Sequence, residues 1–470
     1  PRLEAALASL DRLAAPAAQE AGAGLRSVAG QPEAVAAFRQ LAADLGAWRD
    51  GRLDWSAVPR SMLLHGLPGT GKTLLASAFA AETGLPLIAT SYAACQKAGH
   101  MGDMLAALDA AVSDAVARAP SVFFLDELDG FNSRDTPART HNASYIRAVI
   151  TALLRQLDRL MATPGVVLIG ATNDPGAIDP AIRRPGRFDR LLRLDPPGPD
   201  AMAQILQAHL GETPAGPALE RAIGTAARRL VGTSGAAAAA LAGAAVADAR
   251  SEDQPLPAAL DAVLADRHPD PPPADLRRVA RHEAGHLVVG LLSGLPDPDA
   301  IRLTPEGGHV AWRRAPIRTR AATLAELRTA LAGRAAEEVL CGAPSGNAGM
   351  GSDSDLAHAT RLALGLELEW GLGDGGLIWH AALPPGLQAP PWLRAKLDHL
   401  LSSAASGARA LIATHRTLVD DLAEDLLTRR EIEGAPLARW TDRIRACAPG
   451  RETAARDGST DGHVVDLTRE

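Results

Sequence analysis

The stretch that most constrains this chain is a glycine-rich turn. A short apolar run, Ser61–Leu64, leads into Gly66-Leu-Pro68-Gly69-Thr70-Gly71-Lys72-Thr73. A strand that stops abruptly, a loop built largely of glycine and a helix starting at once form a single unit. The glycines let the backbone fold tightly and aim its N–H groups at phosphate oxygens, and the helix N-terminus adds its positive end. Lys72 supplies charge to the outer phosphates, the Thr73 hydroxyl suits Mg²⁺, and Leu74 completes the stretch. ATP with Mg²⁺ is the expected ligand, in an α/β layer.

The surrounding pattern agrees. From about residue 25 to 196, short apolar runs alternate with helical stretches, the signature of a parallel sheet flanked by helices. Val122-Phe-Phe-Leu-Asp126-Glu127 places two acids at the end of such a run. Asp126 is suited to hold Mg²⁺ through water and Glu127 to polarise an attacking water. Val166–Gly170 leads into Ala171-Thr172-Asn173, where Asn173 is placed to sense the terminal phosphate. Three strand ends together read as a nucleotide hydrolase.

A second constellation lies downstream. Arg281-His282-Glu283-Ala-Gly-His286 sits in a stretch of helical spacing. Residues four apart share a helix face, so His282 and His286 can bind one ion, zinc by this motif, with Glu283 beside it as general base. Two histidines and a water need a third protein ligand.

Composition narrows the function classes. The chain has 470 residues, enough for two or three domains, and only 3% aromatic residues, so its cores must be built mainly from Ala, Leu and Val. A net charge of -7 provides no broad basic surface, and nucleic acid is not an expected partner. Cys95, Cys341 and Cys447 are far apart and suit a reducing compartment. No apolar run is long enough for a membrane span; Ala236–Ala247 is too short. The expected location is the cytoplasm, or the cytoplasmic face of a membrane through a segment outside this chain.

Asp266-Arg-His-Pro-Asp-Pro-Pro-Pro273 is unsuited to helix or central strand and marks a domain boundary. The expected organisation is an N-terminal helix and linker (1–24), an α/β ATPase domain (25–197), a helical lid (198–266), a Pro-rich linker (267–274), a mainly α-helical peptidase domain (275–448) with a strand-like patch at Ala300–Trp312, and a polar tail (449–470).

Family resemblance sharpens this. Asp179-Pro-Ala-Ile-Arg-Arg184-Pro-Gly-Arg187-Phe-Asp-Arg190 resembles the second region of homology of AAA+ ATPases. The resemblance implies that Arg184 and Arg187 reach a neighbouring subunit's nucleotide, and hence a homo-oligomeric ring, usually a hexamer. Val28-Ala29-Gly30 resembles the segment lining the adenine pocket, His209 matches a histidine near the nucleotide, and Gly235-Ala236 matches the turn opening the last lid helix. His282-Glu-Ala-Gly-His286, Ala332-Gly-Arg-Ala-Ala-Glu337-Glu338 and Ser354-Asp355-Leu-Ala-His358-Ala-Thr360 are similar, in order, to the landmarks of FtsH-type peptidases, family M41. This implies Asp355 as third zinc ligand. Asp353 is the competing acid, out of position for the match; His358 is a bystander; Glu337 or Glu338 orients a ligand histidine. Ala410–Arg430 with the following Glu431-Ile-Glu-Gly resembles the family's terminal helices. Gly307–Trp312 resembles its edge strand, where substrate adds as an extended chain. The resemblance covers about residues 25–448.

The sequence also departs from that family. Its aromatic–Val–Gly pore loop corresponds to Ala94-Cys-Gln-Lys97-Ala-Gly-His100-Met101-Gly102, which has no aromatic residue. A Phe of the intersubunit signalling segment is missing, with Leu160 near its place. Alanines occupy 237–240 where the lid has an acid. The resulting expectation is an ATP-dependent zinc metalloendopeptidase acting on loosely folded or particular protein substrates. A non-proteolytic AAA+ remodelling chaperone is the alternative, and a pseudo-ATPase adaptor around an ATP-independent peptidase the third reading.

Overall fold

The computed structural model describes residues 21–131, 140–184, 186–211, 216–304, 307–313, 317–346, 349–351, 354–374, 379–380 and 389–448. Contacts divide the chain into two units, Pro1–Pro269 and Asp270–Glu470.

The first unit opens with a 3-10 turn, Ala21–Ser27, and α1 (Pro32–Arg49). It continues through β1 (Ser61–His65), α2 (Lys72–Thr83), β2 (Leu87–Ser91), α3 (Tyr92–Gln96), α4 (Met101–Ala117), β3 (Ser121–Asp126), α5 (Thr140–Ala162), β4 (Val166–Thr172) and β5 (Arg190–Arg193). The strands form a parallel sheet in the order β2-β3-β4-β1-β5. Alternation along each strand feeds two cores. Met62, Leu64, Val122, Phe124, Val167 and Ile169 face α1 and α2, whereas Leu63, Phe123, Leu125, Val166 and Leu168 face α4 and α5.

Two strands escaped the sequence reading. β2 is an edge strand buried only at alternate positions, and β5 buries Leu192 alone and exposes Arg190, Leu191 and Arg193. Neither shows the continuous apolar run of a central parallel strand.

The stretch expected to be wholly helical resolves into α6 (Pro199–Leu210), α7 (Pro217–Arg229), α8 (Gly235–Ser251) and α9 (Leu256–Arg267) around a core of Leu and Ala. Small alanine side chains let these short helices approach closely.

The second unit begins with α10 (Pro273–Leu292), whose Pro at the N-terminus suits a helix start. The single expected strand-like patch is two antiparallel strands, β6 (Pro298–Thr304) and β7 (Gly307–Trp312). A third strand, β8 (Glu431–Glu433), gives the order β7-β6-β8. Three residues were too few to read as a strand. α11 (Arg320–Ala330), α12 (Ala332–Cys341), α13 (Asp355–Leu364), α14 (Pro391–Thr414), α15 (Arg416–Arg429) and α16 (Gly434–Arg445) complete the unit. α10 is buried along most of its second half and packs on α12 and α15. Its Gly285 lies so close to α12 that a Cβ there would stand 2.7 Å from the Ala336 Cβ. This close crossing brings α12 to the face that carries His282. Residues 1–20 and 449–470, the expected N-terminal helix and C-terminal tail, lie outside the described residues. Among the described residues, no helix is long and apolar enough to cross a membrane.

Candidate active site

In the first unit the glycine-rich loop joins β1 to α2. Gly71, at the cap of α2, has φ 98°, a left-handed conformation that glycine adopts without strain. The buried Lys72 donates from Nζ to Gly66 O (2.7 Å), Leu67 O (3.0 Å) and Asn173 Oδ1 (2.9 Å). Burial lowers its pKa, opposed by Asp126 and Asp129. Thr73 Oγ1 donates to Asp126 Oδ2 at 3.2 Å. Burial raises the Asp126 pKa. Lys72, Thr73, Asp126 and Asn173 thus converge at the strand ends. Pro68 and Gly69 are exposed, and Thr70 is buried. Leu74 and Val28 pack on the core beneath, and Ala29 is half-buried.

Glu127 has φ 56° and accepts from the Ala93 N–H of α3 through Oε2 at 3.0 Å. This ties Glu127 to the residue just before the segment that resembles the pore loop, Ala94–Gly102. The lid reaches the loop too: a Cβ at Gly235 would lie 3.7 Å from Gly69 O, and one at Gly69 would lie 3.2 Å from the Ala236 Cβ. His209 turns Nδ1 to Ile205 O of its own helix at 2.9 Å.

The arginines differ. Arg184 is exposed, whereas Arg187 forms a two-pronged pair with Asp158 (2.7 and 3.0 Å) and donates to Ala181 O. Leu160 is fully buried in the core, so it does not present a side chain for signalling. Sequence reasoning missed Asp129, whose Oδ1 accepts from Thr172 Oγ1 (2.9 Å) and Asn173 N (3.2 Å) and holds the β4 tip. It also missed the buried Gln31, which donates to Thr70 O and Asp195 O. Asp129 lies three residues beyond Asp126, a signal available in the acidic run.

In the second unit His282 and His286 project from one face of α10 toward Asp355, the first residue of α13. Ser354 caps α13, accepting from Ala357 N, and so fixes the start of the helix that carries the acid. Asp355 Oδ2 lies 2.9 Å from His282 Nε2 and 3.3 Å from His286 Nε2. Ligand atoms of the three residues all lie within 4.8 Å of one another.

The outer nitrogens settle what the inner ones can do. His286 Nδ1 is 2.7 Å from Thr329 O, a carbonyl that only accepts, so Nδ1 carries the proton. His282 Nδ1 is 2.8 Å from Glu337 Oε1. Glu337 is buried and also receives Arg278 Nη1, Ser345 N and Ser345 Oγ. Burial raises its pKa, but these hydrogen bonds, led by His282's, outweigh that and pull it down to about 2. Glu338 is directed elsewhere, to Arg334 and Arg409. In the neutral rings both Nε2 lone pairs therefore face a carboxylate. That arrangement is repulsive unless a cation or a proton lies between, and a nitrogen–nitrogen–oxygen set of this spacing suits zinc. Without a cation, burial opposes charge on His282, yet its bonds to Asp355 and Glu337 push its pKa up to about 10. Burial acts against the charge on Asp355 too, but the two histidines hold its pKa well below the usual range.

Glu283 is buried, and its Oε2 has no hydrogen-bond partner among the described residues. Burial raises its pKa, with the histidines pulling the other way. An unmet buried carboxylate oxygen costs on the order of 1–3 kcal/mol or more, a strain expected where a further group is to bind. The edge strand β7 passes directly over this side chain. A Cβ at Gly308 would lie 2.5 Å from Glu283 Cγ.

His282, Glu283, His286, Asp355 and Glu337 line a cavity of about 1290 Å³, whose wall includes β7 and His358. His358 lies outside the three-residue ligand cluster, and Asp353 lies outside the described residues.

Comparison with known proteins covers both units. Residues 62–196 match the ATPase family associated with various cellular activities (AAA), and residues 272–382 match peptidase family M41. The ATP-dependent zinc metalloprotease FtsH 1 of Symbiobacterium thermophilum is 33% identical over 431 residues, 88% of this chain and 72% of that protein. FtsH of Acidothermus cellulolyticus is 33% identical over 437 residues, 85% of this chain and 64% of its own length. The chloroplastic FTSH 7 of Oryza sativa is 32% identical over 433 residues, and there the match spans 83% of this chain but 51% of the relative. With an AAA region followed by an M41 region and such relatives along most of its length, the chain belongs to the FtsH-type family of ATP-dependent zinc metalloproteases.

Proposed function

We propose that this protein uses ATP hydrolysis to deliver polypeptides to a zinc site that cleaves internal peptide bonds. The observation that carries the reading is the meeting of His282 Nε2, His286 Nε2 and the Asp355 carboxylate beside a buried Glu283. Those three residues would hold zinc, which would supply Lewis-acid polarisation of a scissile carbonyl and a more acidic water. Glu283 would take a proton from that water at Oε2, which has no hydrogen-bond partner among the described residues, and pass it to the leaving amine. Its raised pKa suits a group that must hold the proton between the two steps. Glu337 and the Thr329 carbonyl keep the imidazoles in the ligating tautomer.

In the ATPase part, Lys72 exchanges its backbone acceptors for phosphate oxygens, and Thr73 and Asp126 would hold Mg²⁺. Glu127 leaves the Ala93 N–H to polarise the attacking water, and Asn173 senses the outer phosphate. Arg184 and Arg187 serve a neighbouring protomer's nucleotide, which makes a homo-hexameric ring part of the proposal; Arg187 must first leave Asp158. Val28, Ala29, His209, Gly235 and Ala236 line the base and lid side of the nucleotide. The proposed domains run 25–197, 198–266 and 275–448, supported by the contact division at Pro269 and by the helix ends at Arg267 and Pro273. The proposed compartment is the cytoplasm, where free thiols such as Cys95, Cys341 and Cys447 persist. No observation favours the non-proteolytic reading.

The test is Glu283→Gln in the full chain. Peptide release is expected to fall by about 10²-fold or more, with ATP hydrolysis and zinc content unchanged. Undiminished proteolysis would remove Glu283 from the mechanism. Lys72→Ala is expected to abolish ATP hydrolysis and, with it, degradation of protein substrates.

A further inference from the structure

Within the metal centre, one position has a residue that its local structure disfavours. Gly333 is buried in the first turn of α12, where alanine would be the better helix former by roughly 0.5–1 kcal/mol. The three nearest atoms to a Cβ at this position all belong to His282: Nε2 at 2.2 Å, Cδ2 at 2.4 Å and Cε1 at 2.5 Å. A point beyond Nε2 in the ring plane would be much farther from both carbons than from the nitrogen. The near-equal distances therefore place Gly333 over the ring face at its Nε2 end. Four residues on, and so on the same face of α12, Glu337 accepts from the Nδ1 of that ring. One helix thus provides both a bare floor for the imidazole and the acceptor that sets its tautomer. A methyl group on that floor cannot coexist with the ring in this place. The obstacle is a ring held at both nitrogens, by Glu337 and Asp355, not the loose end of a flexible chain.

We propose that Gly333 is a positioning residue for the zinc site, its missing side chain being what lets His282 lie flat on α12 with Nε2 aimed at the ion. The inference rests on the metallopeptidase reading and adds a residue that touches neither ion nor substrate. A side chain at 333 tilts or lifts the ring, moves Nε2 away from the point shared with His286 and Asp355, and weakens zinc binding while leaving the first unit's chemistry alone.

The experiment uses the full chain and zinc itself. Zinc affinity is measured by competition with a chromophoric chelator for wild type and Gly333→Ala, alongside ATP hydrolysis. The expected result is a 10- to 100-fold loss of zinc affinity, the size typical when the support of a ligand is disturbed, with ATPase rates retained. Equal affinity in both proteins overturns the inference alone. No zinc binding by wild type overturns the metallopeptidase reading and this inference with it.

A second measurement separates ring positioning from general packing. In the His282→Ala background, adding Gly333→Ala is expected to leave the metal-free unfolding midpoint unchanged or raised, because the obstructing ring is gone and helix propensity alone remains. If the substitution lowers that midpoint as much as it does with His282 present, Gly333 is a packing glycine and the proposal falls.

Discussion

The pKa of His282 in the metal-free protein, pushed up to about 10, makes the zinc site a proton site as well. An ordinary histidine titrates near 6.5, so between the two values the folded protein holds a proton that the unfolded chain has released. The associated stability is fully present below pH 6.5 and is lost as pH rises through about 10. A metal ion taking the Nε2 lone pair would have to displace this proton, whereas Asp355 and Glu337 are already ionised. At pH 7.5 binding is expected to release about one proton per zinc, and affinity to rise about tenfold per pH unit. Calorimetry in two buffers of different ionisation enthalpy measures the release; a value near zero would show His282 neutral before the metal arrives.

Among the elements, the edge strand β7 has the most direct bearing on chemistry. Among the described residues it pairs with β6 alone, so its other edge has no strand partner there, and it crosses Glu283 at Gly308. A methyl group at 308 must displace Glu283 or part β7 from β6, since the Arg302 carbonyl is 2.8 Å from the same Cβ position. Gly308→Ala is therefore expected to lower kcat for a short peptide by roughly ten- to a hundredfold, with zinc content retained, because small displacements of a reacting group are costly. A wild-type kcat would show that the strand yields without moving the base. The strand-like character of 307–312 was legible in the sequence and in its family resemblance; its contact with Glu283 was not, because the two meet across 25 residues through a sheet register that only pairing decides.

For the whole molecule, the decisive feature is an ATPase unit with no aromatic residue in the segment that resembles the family's pore loop. Lys97 and His100, between α3 and α4, and Met101, the first residue of α4, are exposed there. Flexible or hydrated side chains grip a moving backbone less firmly than a rigid ring does. ATP-dependent degradation of an unfolded casein-like protein is expected to exceed that of a stable tagged domain by about tenfold or more, because each 1.4 kcal/mol of unfolding work left unsupplied corresponds to a tenfold loss of rate. Comparable rates for the two substrates would show that these side chains suffice for forceful unfolding.

Local patterns in the sequence were enough for the glycine loop, the acid pair after β3, the His-Glu-x-x-His helix and the break near Pro269, because each depends on residues a few positions apart. Strand ends and helix faces are short-range consequences of side-chain type and period. The remainder is long-range. That Asp355 meets the two histidines, that Glu337 and not Glu338 accepts the hydrogen bond from the His282 ring, and that Gly308 and Gly333 leave room for Glu283 and His282 all depend on helices and strands distant in the chain packing to within an ångström. Only the tertiary structure decides this, since close packing sets distances that no local preference encodes.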